Sequence, residues 1–274
     1  MNPSGIAHIA ESIELRMNEA FWALRPGSTA DGQKLFRLGG ALVTVKPKSI
    51  SLQRNRVVGL GVDEPATEPM IDEALDIFRD HKVKRFSLHQ GPCGPSDAMV
   101  GWLEKRGFRP HHAYSKLVRE TRDAPQVRSD LRVRRIGQAD SAAFAAVFGH
   151  VFAAPPSQRD WITASVGAPG FSHYLAFAGD QPVATGMVYV QGDGAWMGWG
   201  ATLTPFRRRG AQGAIIAARV KRAADLGAKW IVSETLEPRR GRPSGSYRNL
   251  LEHGFQQAYL RPIWAWERCP EVRK

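Results

Sequence analysis

"TPFRRRGAQGAIIAARVKRAADLG", residues 204–227, places three consecutive arginines and a glycine in front of a helical pattern. A helix N-terminus already carries the positive end of the backbone dipole, and acidic side chains are the ones favoured there. Stacked positive charge at that point calls for an anion. The first turn leaves backbone N–H groups without intrahelical acceptors. Glycine permits close approach and unusual dihedrals, so the amides of Gly210, Ala211, Gln212, Gly213 and Ala214 can wrap a phosphate. Arg207, Arg208 and Arg209 add charge-assisted bonds to its oxygens. The dipole contributes about 0.3–1 kcal/mol, so amides and arginines must supply most of the affinity.

The helix that follows is amphipathic. Gly213, Ile216, Val220 and Ala223 share one face, with Arg219, Lys221, Arg222 and Asp225 mostly elsewhere, which docks it on a sheet. No Gly-Lys-Ser/Thr follows the loop, which excludes a nucleoside-triphosphate P-loop, and no GxGxxG occurs here.

Composition agrees with an anionic ligand near this loop. The 274 residues carry a formal charge of +12. Residues 201–274 hold 15 Lys+Arg against 6 Asp+Glu, whereas residues 1–200 hold 23 against 20. The excess is therefore concentrated in the last quarter. With 43% hydrophobic and 23% charged residues the sequence reads as globular, and no apolar run reaches a membrane span. The N-terminal residues have neither a basic nor an apolar signal region, and Cys93 and Cys269 are the only cysteines. A cytoplasmic location is the expectation, with no metal.

The chain also repeats itself. WLEKRGFRPHHAYSKLVRE (102–120) resembles NLLEHGFQQAYLRPIWAWE (249–267), each a helix end, Gly-Phe and strand-like runs. Gly107 and Gly254 suit helix C-caps with positive φ. RNRVVGLGV (54–62) and AWMGWGATL (195–203) both read as strands running into helical segments. A break falls near RETRDAPQVRSD (119–130), giving domains over 1–124 and 130–274. The second reads β-α-α-β-β-β-α-β-α-β-β, a mixed α/β sheet, with Asp140 as a helix N-cap and a hairpin turn at Gly179-Asp180.

Strand, RxxG loop, amphipathic helix, strand and a helix ending in Gly-Phe together resemble the GNAT superfamily of N-acyltransferases. Its signature Q/R-x-x-G-x-G/A is matched from Arg207 to Ala211, with Gln212 in place of the final Gly/Ala and Gly213 one residue late. The resemblance covers about residues 130–268 and implies two tandem GNAT-like domains, each a mixed, mostly antiparallel twisted sheet flanked by helices. It implies acetyl-CoA as co-substrate, its pyrophosphate on the arginine loop, and a splay between the strand ending near Leu203 and the strand ending near Thr235. Backbone groups near Thr202 and Leu203 would pair with the pantetheine arm and polarise the acyl carbonyl. Asn249 would contact the cofactor arm.

The family often has a tyrosine four residues before the helix-ending glycine, to protonate the leaving thiolate; here that position is Leu250, and Tyr247, one turn earlier, is the candidate substitute for that acid, with packing as its alternative role. Glu234, at a strand end, is the candidate base for the amine. In the first copy Asp63, Glu64 and Glu68 stand where arginines would be, and Pro65 and Pro69 remove amides, so that copy is degenerate.

The function expected is direct acetyl transfer to an amine, a small molecule or a peptide, without a membrane partner. Two alternatives stand beside it: a silent acyl-CoA sensor or scaffold, and a nucleic-acid binder using the basic C-terminal quarter. The absence of a basic repeat or helix-turn-helix counts against the last. Trp196 and Trp199, at odd separation, are expected on opposite strand faces. His111-His112 reads as a surface pair, and His89 with Cys93 forms no triad. The loop 239–246 is a basic segment for a cofactor phosphate.

Overall fold

The computed structural model describes residues 3–24, 32–93, 96–238 and 244–268. In chain order the elements are α1 (Pro3–Ala23), β1 (Lys34–Leu38), β2 (Ala41–Val45), β3 (Arg56–Val58), α2 (Glu68–Asp80), β4 (Arg85–His89), α3 (Ser96–Lys105) and β5 (Arg109–Glu120). They continue as β6 (Arg132–Ile136), α4 (Ser141–Phe152), α5 (Pro156–Ser165), β7 (Phe171–Ala178), β8 (Gln181–Gln191), β9 (Gly194–Thr202), α6 (Ala211–Asp225), β10 (Trp230–Leu236), α7 (Gly245–Glu252) and β11 (Gln256–Glu267). The chain divides into two compact units, one of Met1–Leu15, Thr29–Ser115 and Tyr259–Lys274, the other of Arg16–Ser28 and Lys116–Ala258.

In the first unit the strand order is β1-β2-β3-β4-β11, with β3 and β4 parallel and the other pairs antiparallel. Ile71, Ala74, Leu75 and Phe78 of α2 recur at helical spacing and are buried. Phe78 stacks on Phe86 at 3.9 Å, and Phe86 meets Phe108 edge-on at 5.5 Å. Arg261 of β11 is fully buried and donates to Glu14 (2.6 Å) and Glu11 (3.2 Å) on α1. Pairing makes that burial tolerable, since a lone interior charge is strongly unfavourable.

In the second unit the order is β10-β9-β8-β7-β6, antiparallel except for β10 with β9. β7 and β8 are buried on both faces, as their near-continuous apolar sequences require. One face receives α6 through Ile215, Ile216, Val220 and Ala223. Full burial of each of the larger three contributes roughly 1.5–3 kcal/mol. Both copies close their last helix alike. Phe108 and Phe255 donate to carbonyls five residues back, Gly107 and Gly254 to carbonyls three back, and both glycines have positive φ.

Three sequence expectations change. Asp140 occupies the N-cap of α4, but its side chain makes no cap bond, because both carboxylate oxygens accept from Arg134 at 2.7 and 2.9 Å. Arg219 lies on the buried face of α6, 3% exposed. Trp196 and Trp199 share a face. Between Thr185↔Ala201 and Met187↔Gly198 the register of β8 and β9 slips, so Trp199 and Gly200 oppose Gly186 alone. This β-bulge, with Trp199 at φ 56°, resets the alternation. The Trp199 ring meets His173 (5.8 Å), Phe148 (6.1 Å) and Phe21 (5.2 Å), on the face that carries Phe171, Tyr189 and Trp196.

Candidate active site

The parallel ladder of β9 and β10 runs only from Gly194↔Trp230 to Trp196↔Val232. Both strands continue, to Thr202 and Leu236, and they part. Ser233 bridges the first step of the parting, its hydroxyl donating to the Met197 carbonyl at 3.1 Å. At the far end of β9 opens a cleft of about 690 Å³ within the second unit. Its lining includes Gly200, Ala201, Thr202, the Arg207–Gly213 loop except Arg209, Val151 and Phe152 of α4, and Arg248, Asn249 and His253 of α7.

The intrahelical ladder of α6 begins with Ala214 N–H donating to Gly210 O (2.9 Å). Helix geometry therefore puts the amides of residues 210–213 outside the intrahelical ladder, while that of Ala214 belongs to the helix. Gly210 has φ 75°, and a Cβ there would stand 2.8 Å from the Arg128 carbonyl, so both the dihedral and the space exclude side chains. At Gly213 a Cβ would lie 2.6 Å from His253 Nε2, so a side chain there would have to displace that imidazole. Arg207 and Arg208 are exposed at the cleft.

Several expected site residues are placed otherwise. Arg209 turns from the cleft to pair with Asp130, with its guanidinium over the Phe206 ring at 5.8 Å. That hydrogen bond holds the Asp130 carboxyl below its ordinary range. Leu203 has no free backbone group: its N–H donates to Val183 O and its carbonyl accepts from Phe206, both at 2.9 Å. The Trp199 carbonyl accepts from Thr185 Oγ1 on β8 (2.8 Å), and the planar trans peptide turns the Gly200 N–H away from Thr185.

Gln212 lines the cleft but spends its side chain internally, Nε2 donating to Ala201 O (2.9 Å), Thr202 Oγ1 (3.0 Å) and Thr185 O (3.2 Å). Thr202 and Asn249 are both on the cleft wall. Glu234 sits two residues past the last β10 rung, 15% exposed, its carboxylate 3.2 Å from the Nζ of fully buried Lys116. Tyr247 is not among the cleft residues; its hydroxyl donates to Gln257 Oε1 (3.1 Å), and Leu250 is core. The part of the basic loop at 239–243 lies outside the described residues; from Ser244 onward the chain caps α7, Ser244 Oγ accepting from Tyr247 N–H.

The discounted groups fall outside this cleft. His111 and His112 stack edge-on at 4.8 Å, and among the described residues no three His, Cys, Asp or Glu side chains are grouped to hold a metal. Burial, with the Glu11 charge, raises the Cys93 thiol to about 11, which is the wrong direction for a nucleophile. No described helix is long and apolar enough to cross a membrane. The bulge and the buried arginine beneath it are the features sequence reasoning missed. The signal was Gly186 and Gly198 inside apolar strands, which marks a bulge or a close approach.

No protein-family model matches the chain, and no curated protein sequence matches it. Solved structures do. A tandem GNAT protein from the clavulanic acid biosynthesis pathway superposes with a TM-score of 0.63 at 15% identity, covering 98% of this chain and 95% of that one. A GCN5-related N-acetyltransferase from Kribbella flavida gives 0.62 at 16%, covering 92% and 97%. Another, from Sphaerobacter thermophilus, gives 0.60 at 14%, covering 98% and 95%. The chain has the fold of the GNAT superfamily, in a tandem arrangement.

Proposed function

We propose that the second unit is an acetyl-CoA-dependent N-acetyltransferase acting on an amine. The observation that carries this reading is a coincidence of two features at one cleft. A helix N-terminus with four amides outside its ladder lines the cleft at the end of β9, and the parallel ladder of β9 with β10 stops at Trp196↔Val232, well before that end. The amides of residues 210–213, with Arg207 and Arg208, would hold the pyrophosphate; Thr202 and Asn249 would border the pantetheine arm. The bound thioester supplies an activated acyl group. The Gly200 N–H is the donor this reading assigns to the acyl oxygen.

Glu234 is the group to which we assign the proton lost by the amine. Its carboxylate is held 3.2 Å from the Lys116 ammonium, and Glu234 is not among the residues that line the cleft. Tyr247 packs in this reading and donates no proton. Positioning and amine deprotonation account for most of what acyl transfer from a thioester requires, so a missing side-chain acid is compatible with turnover. The acceptor would approach past Phe152 and Trp199 on the α4 side.

The test is titration calorimetry with acetyl-CoA, followed by a coenzyme A release assay over a broad amine panel. Binding at micromolar Kd with turnover of at least one amine is expected. Binding without turnover across the panel would recast the unit as an acyl-CoA sensor. Absence of binding, with salt-dependent retention of RNA or DNA, would transfer the basic surface to nucleic acid.

A further inference from the structure

Arg219 is a charged side chain inside an apolar core, 3% exposed, and it donates to backbone carbonyls. Nη1 donates to Gly198 O (3.0 Å) and Met187 O (3.3 Å), and Nε to Ile215 O (3.2 Å). Burial lowers the guanidinium to about 10, so it remains charged at neutral pH. A helix needing only to pack would carry Leu or Met here, because desolvating a charge is costly. The two strand carbonyls it grips, Met187 and Gly198, form the rung on one side of the β8–β9 bulge. Gln212, two turns earlier on α6, grips Thr185 O and Ala201 O, the rung on the other side. Gly186, the residue facing the bulge, makes room for this: a Cβ there would meet Ile215 Cγ2 at 2.4 Å and Arg219 Cζ at 3.0 Å.

We infer that Arg219 is a positioning residue for acyl transfer, holding the bulge from beneath together with Gln212 and polarising its peptide units; the inference rests on the acyltransferase reading above. The Gly198 carbonyl and the Trp199 N–H belong to one planar unit. A guanidinium on the carbonyl fixes the direction of that N–H, away from Arg219, and strengthens its dipole. Thr185 does the same, without charge, for the Trp199 carbonyl and the Gly200 N–H. Three of the four carbonyls from Gly198 to Ala201 are thus held by side chains, from Arg219, Thr185 and Gln212. The bulge donors are preset before any substrate arrives, which is the condition for electrostatic stabilisation without reorganisation. Gln212, the departure from the family signature, acquires a purpose by the same geometry.

The experiment compares wild type, Arg219→Met and Arg219→Lys in the full chain. It reads coenzyme A affinity by calorimetry, kcat with acetyl-CoA and the best amine of the panel, and the ¹⁵N–¹H shift of the Trp199 amide. Arg219→Met is expected to lower kcat at least 20-fold while the coenzyme A Kd stays within threefold, because the amides of residues 210–213 are untouched. The Trp199 amide shift moves, and Arg219→Lys, which keeps the charge, recovers at least fivefold in kcat. A kcat within threefold of wild type in Arg219→Met, a parallel loss of Kd and kcat, or a lysine variant no better than methionine each overturns the inference.

If Arg219→Met does not fold, Arg219→Lys decides. A three- to tenfold kcat loss at constant Kd supports the inference, and wild-type kcat overturns it. If wild type binds no coenzyme A, the acyltransferase reading fails by itself. The Trp199 amide shift still tests the clamp, and an unmoved shift overturns it.

Discussion

The two units place a strand, a loop and a helix in the same order, and the loops do opposite things. After β9, Gly210 turns through a positive φ and α6 presents four amides to a cleft edged by arginines. After β3, the helix α2 opens with Glu68 and Pro69. Pro69 has no N–H, and the Met70 N–H donates to Thr67 O at 3.2 Å. The Glu68 carboxylate receives Arg106 (2.8 Å) and Lys105 (3.3 Å), which hold it below the ordinary carboxylate range. Beside the β3 end, a Cβ on Gly59 would meet Leu15 Cδ1 at 2.7 Å, so α1 fills the space next to that strand. One helix end is closed by a proline, a backbone turn bond and a glutamate paired with Arg106 and Lys105, whereas the other keeps its first four amides outside the helical ladder. Two residue types, Gly against Glu-Pro, make that difference.

The sharpest way to break the contrast is Gly210→Glu, which imports the first copy's charge into the second. Acetyl-CoA affinity should fall roughly 100-fold or more, near 3 kcal/mol, by calorimetry. Gly210→Gln, which meets the same dihedral and Cβ conflict without the charge, separates the charge from the steric effect and should lose less. A wild-type Kd in Gly210→Glu would remove the loop from the site.

Next in size is a pH effect confined to the second unit. His173 is buried at the sheet face, beside Phe144 and Trp199, and desolvation lowers it to about 3 from 6.5. The unfolded chain therefore binds a proton that the folded one refuses between those values. Stability is full above pH 6.5 and declines as pH falls, by about 2 kcal/mol from pH 7.5 to 5. Urea midpoints at the two pH values measure it. His173→Gln should flatten the slope, and an unchanged slope would assign the loss elsewhere.

Smaller again is the joint loss of Arg207 and Arg208 to alanine. Both are exposed, so the pair should weaken acetyl-CoA about five- to tenfold, on the order of 1 kcal/mol, and reduce its salt dependence. The smallest change is expected from the converse graft. Asp63→Arg with Glu64→Arg adds charge beside α2 but restores no amide, so calorimetric stoichiometry should stay at one acetyl-CoA per chain. A second site would show that charge alone makes the pocket.

The start of α6 was legible in the sequence because its cause is local: a glycine at the cap followed at once by helical periodicity. The repeated Gly-Phe helix ends were legible for the same reason, since a C-cap depends on its own turn. The wall behind the site was not. Trp199 was misplaced because period-two alternation holds only while strand register does, and the slip opposite Gly186 depends on where β8 lies. Arg219 was counted among the polar residues because arginine by type is solvent-facing; only the bulge carbonyls across from α6 give it partners. Arg209 was drawn to Asp130, 79 residues away in the chain.

By itself, then, the sequence determined the fold class, the tandem repeat and the helix that starts after Gly210, all consequences of periodicity and of interactions spanning a few residues. Tertiary structure alone decided which of three adjacent arginines faces the cleft, and which strands part. It also decided how α6 grips the bulge and which unit takes the residues of α1 after Leu15 and of β11 from Tyr259. Those outcomes depend on partners brought together from distant positions, and no local pattern specifies a partner's address.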